Sequence, residues 1–550
     1  MTLRGIASHT FRLLPVLSLL AVATGVAYAD NAVKIEKAPT PRAEGEVAKI
    51  APAVEIDRKI IAEVKDKAEL KANLQHLCDV IGPRITGSAN LEKANKWAEA
   101  KMKQYGLTNV KLEPWEIPVA WDRGTFSMKM VEPNAGKPLI GASAAWTPGT
   151  KGKITGEVVF LNAKTKDDLA KYKGKLKNAI VLRSPPSDVK PISDMTYLAP
   201  PTPKNDPKKD EPKKDEPKKD EPKKDEPKPS DAQPPRPNFG ELMALRAAIG
   251  EFLKAEGAAA ILTDSAKPHG LLVMTGSWPK GDRGTAGDPL PTIFMTHEHY
   301  AMLHRLATAT DGPKPMVELE ITNKFTPGPI TVYNTVGEIL GSEKPDEFVV
   351  VGAHLDSWDL GTGATDNGTG SCIVLEIART LGVLAKAGIK PKRTIRFVLF
   401  TGEEQGLFGS KQYVIKHKDE MAKTSMTIVH DTGTGVVKGF GLQGREAVQK
   451  ILEPELETLK TIDGWKGLSL RGMGGTDHLS FESAGVPGFA CDQDMDEYRL
   501  THHTQTDTFD HVKIPNLVQG AQVMAITALR VANLPDLLPR TKGKVDEPKK

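Results

Sequence analysis

Phe348-Val349-Val350-Val351-Gly352-Ala353-His354-Leu355-Asp356 is the stretch on which the fold turns. Its first six residues carry no polar side chain, so an extended segment here would be apolar on both faces. Strands covered on both sides by helices read this way; half-exposed strands alternate instead. His354 and Asp356 stand where the apolar run stops, at a carboxyl end. A second such run, Thr394–Phe400, stops at Thr401-Gly402-Glu403-Glu404, and weaker ones occupy Thr427–His430 and Val486–Ala490. Helical patterns fall at Ser371–Ala385, Gly409–His417, Arg445–Leu459 and Asn516–Ala532. From 326 onward this alternation predicts an α/β unit, a mostly parallel sheet flanked by helices, with its site at the carboxyl ends of the strands.

Upstream the texture differs. Leu70, Leu74, Leu77 and Ile81 recur at helical spacing, and a second helix is expected from Ser88 as N-cap to Gly106, with Leu91, Ala94, Ala98, Met102 and Tyr105 inward. Residues 56–130 are expected to be the first part of the catalytic domain, which resumes at 326–540. Between them, 131–325 shows short β-type runs, Gly156–Leu161, Ala179–Arg183, Ala259–Thr263, Thr292–Thr296 and Met316–Thr322, with helices at Glu241–Ala255 and His299–Thr308. That segment reads as a β-rich insert. Within it, Lys208–Pro227 is four tandem copies of Lys-Lys-Asp-Glu-Pro, neutral per copy and without an apolar side chain, so 203–237 is expected to be a solvated loop. The tail 541–550, ending Asp546-Glu547-Pro548-Lys549-Lys550, is expected to be disordered as well.

The chain has 550 residues and a formal charge of +4, which gives no electrostatic case for nucleic acid as a partner. Arg4 and Arg12 precede the apolar Leu13–Ala23, and Ala27-Tyr28-Ala29 is an A-x-A site; 1–29 therefore reads as a signal peptide and 30–55 as a flexible leader. An exported protein, periplasmic or secreted and without a membrane span after cleavage, is the expectation.

The chemistry is concentrated at the strand ends. His354 and Asp356, then Asp366 ahead of a helix, Glu403-Glu404, Asp431, and His502-His503 all follow apolar runs or open helices. Imidazole and carboxylate are zinc donors. A second ion about 3.5–4 Å away needs a carboxylate that touches both. Asp366 can serve, leaving His354 and Asp431 for one ion and, for the other, one member of each adjacent pair; spacing leaves open which glutamate and which histidine. The remaining glutamate would be a general base, and Asp356 would accept the second imidazole N–H of His354. His297-Glu298-His299 resembles a metal pair but has no further ligands nearby in sequence. Cys372 and Cys491 read as buried thiols. No Gly-x-Ser-x-Gly elbow is present.

Val349–Asp366, Pro391–Gln405, the GGTD of Gly474–Asp477, the AGVP of Ala484–Pro487 and His502–Thr508 together resemble the zinc-dependent exopeptidases of the bacterial aminopeptidase type, in particular their carboxypeptidase Q branch. The resemblance implies a di-zinc peptidase fold with an inserted protease-associated domain. It implies His354, Asp366, Glu404, Asp431 and His503 as ligands of two zinc ions and Glu403 as the base. Many aminopeptidase relatives carry an oxyanion-steadying Tyr before the last ligand; His502 stands there in this chain and is counted with the catalytic residues. The expected reaction is hydrolysis of short peptides or dipeptides, with a homodimer allowed. A non-catalytic receptor-like relative and a single-zinc glutaminyl cyclase are the alternatives on this scaffold.

Overall fold

The computed structural model describes residues 52–189, 239–278, 289–495 and 498–543. The expected signal peptide, nearly all of the leader, the Lys-Lys-Asp-Glu-Pro repeats and most of the tail lie outside them. The leader was expected to run to residue 55, but a helix already begins at Pro52 and runs to Lys67. Proline suits a first helical position, where no N–H is needed. This helix buries Ile60 and Val64 and is tied to the last helix by Asp57, which accepts from Arg530.

The second helix forms where expected, Ala89–Tyr105. The Ser88 side chain accepts the Leu91 N–H, Gly106 closes the helix at φ 86°, and Leu91, Ala94, Ala98, Met102 and Tyr105 are buried. The chain then lays down β1 (Thr108–Asp122) and leaves for a second sheet. That sheet consists of β2 (Phe126–Glu132), β3 (Gly141–Ser143), β4 (Ile154–Phe160), β5 (Ile180–Leu182), β6 (Ala260–Asp264), β7 (Thr292–Met295) and β8 (Met316–Ile321), in the order β2-β8-β4-β5-β6-β7-β3. It has its own core around Val158, Leu182, Leu262 and Tyr300. Its first strand starts at Phe126, ahead of the expected insert boundary at 131.

The chain returns with β9 (Lys324–Ile339), β10 (Lys344–His354), β11 (Arg393–Phe400), β12 (Thr424–Val429), β13 (Val437–Gly441), β14 (Gly467–Ser469) and β15 (Gly488–Gln493). With β1 these form an eight-stranded sheet ordered β1-β9-β11-β10-β12-β15-β13-β14. The four central strands run parallel, while β1, β9 and β13 pair antiparallel to their neighbours toward the edges. The sheet is thus mixed, with the expected parallel arrangement confined to its centre and to the β13–β14 pair. Helices Thr369–Lys386 and Ile514–Asn533 pack on it, the former buried on nearly every side. By length and composition the span Ala364–Lys386 could cross a membrane, but 89% of its apolar window is inside the fold.

Register sets up the site. Val351 pairs with Ile428 and Gly352 with Val429, so His354 and Asp431, two residues further on, emerge level at one edge. His354 pairs with Phe400, which puts Glu403 and Glu404 just beyond the same edge.

Candidate metal centre

His354 ends β10 fully buried. Its Nε2 lies 3.1 Å from Asp431 Oδ1 and 3.3 Å from Asp366 Oδ1. The other oxygen of Asp366, Oδ2, lies 3.4 Å from His503 Nε2, and His503 Nε2 is 3.0 Å from Glu404 Oε2. Asp366 therefore stands between two groups of donors, with one oxygen toward each. His502 stacks on His503 with ring centres 3.7 Å apart, and its Nε2 is 3.8 Å from Asp366 Oδ2. Glu403 Oε2 stays 4.0 Å from His354.

Asp356 lies beside His354 in a different manner from that expected. The imidazole Nδ1 is 3.0 Å from the Asp356 backbone carbonyl and 3.6 Å from its carboxylate, so the main chain is the acceptor. The carboxylate instead accepts the backbone N–H groups of Glu403 and Glu404, both at 3.3 Å, and the Thr86 hydroxyl at 3.0 Å. A buried carboxylate engaged by these donors fixes the turn after β11, and with it both glutamates.

The electrostatics of the cluster call for a cation. Burial first, and then neighbouring carboxylates, push Glu403, Glu404 and Asp431 above the usual carboxylate range, against the favourable pull of His354. Burial also opposes the charge on Asp366, but His354 and His503 on either side outweigh it and hold this carboxyl low. Burial disfavours the charged form of His354; Asp431 and then its other carboxylate neighbours overcome this and raise it. Asp366 Oδ2 and Glu404 Oε1 are buried and make no hydrogen bond among the described residues. Buried anionic oxygens without donors are costly unless a cation neutralises them. Imidazoles and carboxylates, with no thiolate, form a donor set that zinc accepts. Two triads fit an ion, His354-Asp366-Asp431 and Asp366-His502-His503, and they share Asp366.

The cluster opens on a cavity of about 470 Å³ lined by Glu403, Leu407, Gly475, Tyr498 and His502, among others. Three further residues support it that sequence reasoning did not single out. Asp507 receives the backbone of Thr365 and Asp366. Arg84, fully buried, donates to the carbonyls of Leu355, Thr362 and Gly363. Asp477, within the GGTD motif, is buried near the cluster and pushed up to about 7 by burial. The only sequence signal for Asp477 and Asp507 was their place in quoted motifs, and Arg84 had none.

His297-Glu298-His299 opens the helix His297–Thr308 in the second sheet unit. His297 Nδ1 lies 3.0 Å from Asp264, and His299 Nδ1 accepts the Ile140 N–H, so both rings serve local structure. The three cysteines are buried and free, and burial pushes the Cys78 thiol up to about 12.

Residues 334–528 match the model of peptidase family M28. The chain is 31% identical to carboxypeptidase Q of Mus musculus over 84% of its own length and 86% of the relative's. Among solved structures it resembles a peptidase M28 precursor from Shewanella amazonensis SB2B, at a TM-score of 0.67 and 23% identity, covering 88% of this chain and 98% of the other. It also resembles a zinc aminopeptidase from Bacillus subtilis, at a TM-score of 0.54 and 21% identity, covering 83% and 93%. These two likenesses establish the fold, and the identity to carboxypeptidase Q over most of both chains establishes the family. With its donor cluster at the carboxyl edge of the central strands, the chain belongs to peptidase family M28 and is a zinc metallo-exopeptidase.

Proposed function

We propose that the centre takes two zinc ions bridged by Asp366, with His354 and Asp431 on one and Glu404 and His503 on the other, and that Glu403 is the general base in the hydrolysis of short peptides, dipeptides included. The observation that carries this is the division of Asp366: Oδ1 faces His354 at 3.3 Å and Oδ2 faces His503 at 3.4 Å. Zinc, when bound, supplies a Lewis acid for the scissile carbonyl and lowers the pKa of water.

Glu403 lines the cavity without lying as close to the histidines as Asp366 and Glu404 do. A carboxylate there takes a proton from the attacking water and returns it to the leaving amine. Asp356 positions it by accepting its backbone N–H. His502 lines the same cavity, which supports reading it as a substrate contact. The seven-stranded unit is read as a protease-associated domain, and export is supported by Arg4, Arg12 and the Ala27-Tyr28-Ala29 site.

Three variants test the assignment. Glu403→Gln keeps two zinc ions while kcat falls at least ~10²–10⁴-fold, the loss typical of a missing general base. Glu404→Gln loses affinity for one ion, and Asp366→Ala weakens both. Zinc loss in Glu403→Gln with retention in Glu404→Gln reverses the roles; two tightly held ions in Asp366→Ala remove the bridge.

A further inference from the structure

The backbone carbonyl of His503 is held from outside its own segment. The residue's φ is +58°, in the left-handed region that costs a non-glycine residue about 1 kcal/mol or more. The short helical turn Tyr498–Thr501 precedes it, and the segment is tied locally by His502 N–H to Tyr498 O, Thr504 N–H to Thr501 O and the Thr504 and Thr506 hydroxyls to Leu500 O. The Thr365 hydroxyl bonds Thr501 from the same sheet unit, whereas the His503 carbonyl itself is reached from the other one. Beyond β6 the chain runs through Gly270–Met274 alongside this loop, forming an antiparallel bridge between Val273 and Thr504. Met274 N–H donates to His503 O at 2.7 Å. The Gln505 side chain closes the contact at both ends: its Oε1 accepts Leu272 N–H at 2.7 Å, and its Nε2 donates to Gly270 O at 3.1 Å. The inserted segment is itself anchored, since Val273 N–H donates to Ser265 Oγ at 3.1 Å. The His503 ring also meets the edge of Trp358 at 5.8 Å, and Trp358 packs on Trp146 of the inserted unit.

We propose that the inserted unit is a structural part of the metal centre: Gly270–Met274 clamps the backbone of the His503 loop, and Gln505 is the positioning residue that locks the clamp. This rests on His503 being a ligand, as read above. Gln505 is two residues past His503 and is absent from the donor cluster, so it acts through the loop. A primary amide is suited to the task, because it accepts from one main-chain N–H and donates to one carbonyl of the same strand-like segment.

The test uses the full chain loaded with zinc and competed against a chromophoric chelator, with amide hydrogen exchange followed in parallel. Gln505→Ala should weaken one of the two ions roughly 10–100-fold, the range for loss of a group that orients a ligand. It should leave the other ion and the melting temperature near those of the parent, and speed exchange at Met274. Gln505→Glu keeps the acceptor for Leu272 N–H and should restore part of the affinity, which a general loss of packing would not do. His503→Ala separates the two readings. If it loses one ion while Gln505→Ala keeps both at the parent's affinity, the clamp is wrong and the ligand stands. If His503→Ala keeps both ions tightly, the ligand reading fails and takes the clamp with it. A Gln505→Ala chain that unfolds, with no recovery in Gln505→Glu, also overturns the positioning role.

Discussion

The carboxylate of Asp507 accepts the backbone N–H of Asp366 at 3.2 Å, and that of Thr365 at 2.6 Å. The residue between the two donor groups is thus held by its main chain from 141 positions away, leaving both of its side-chain oxygens free to face histidines. Burial, and then the charge of Asp366, push the Asp507 carboxyl up to about 7.

Asp507→Asn keeps one acceptor oxygen but turns its NH2 toward the other backbone N–H. Zinc affinity is expected to fall roughly 10–100-fold with the fold retained. Zinc titration beside circular dichroism checks this; unchanged zinc affinity would remove Asp507 from the support of the site.

Arg84→Lys tests the loop between His354 and Asp366. The guanidinium reaches the carbonyls of Leu355, Thr362 and Gly363 at 2.7–2.8 Å in a planar fan that an ammonium cannot reproduce. At ~1.5–3 kcal/mol per charge-assisted bond, loss of two should cost about 3 kcal/mol or more. Urea unfolding of parent and variant measures it, and a loss below 1 kcal/mol would contradict the buried-clamp account.

A second buried network predicts a pH window for stability. Glu113 accepts from His417 Nε2 at 3.0 Å, and His417 Nδ1 lies 2.8 Å from Glu420. Burial opposes both charges, but the mutual bonds outweigh it. Glu113 falls from 4.5 to about 2, and His417 rises above 6.5. The depressed carboxyl contributes stability that is full above pH 4.5 and lost as pH falls toward 2. The raised imidazole contributes stability that is full below pH 6.5 and lost as pH rises through its folded value. Both are complete only between these limits. His417→Gln should therefore cost most near pH 5–6, roughly 1–3 kcal/mol, with the gap to the parent narrowing at alkaline pH. Melting curves across pH 3–9 would show a flat difference if the pair were unimportant.

The repeat Lys208–Pro227 offers a prediction from composition. With no apolar side chain to bury, its deletion should leave thermal stability and kcat/KM nearly unchanged. A large drop in either would mean that the segment packs on the protein or gates the site.

What the sequence by itself determined was which segments lie inside and what stands at their ends. Phe348–Ala353 lacks polar side chains because both of its faces are covered, Phe397–Phe400 reads the same way, and that property is local. The site residues His354, Glu403, Glu404 and Asp431 follow the strands closely, so their common edge was legible once the strands were taken as parallel. The cap Ser88 and the stop Gly106 were legible for the same local reason. The long strands β1 and β9 were not: they mix Pro, Glu and Thr with apolar residues and are stabilised by pairing with each other, more than 200 positions apart. Tertiary structure also decided which oxygen of Asp366 faces which histidine, and that Asp356 offers its carbonyl to His354 while its carboxylate serves the glutamate turn. Arg84, Asp507 and Gln505 act across 140 to 280 residues of chain. Hydrogen bonds of that reach depend on distances that only the packed fold creates, and no periodicity in the chain encodes them.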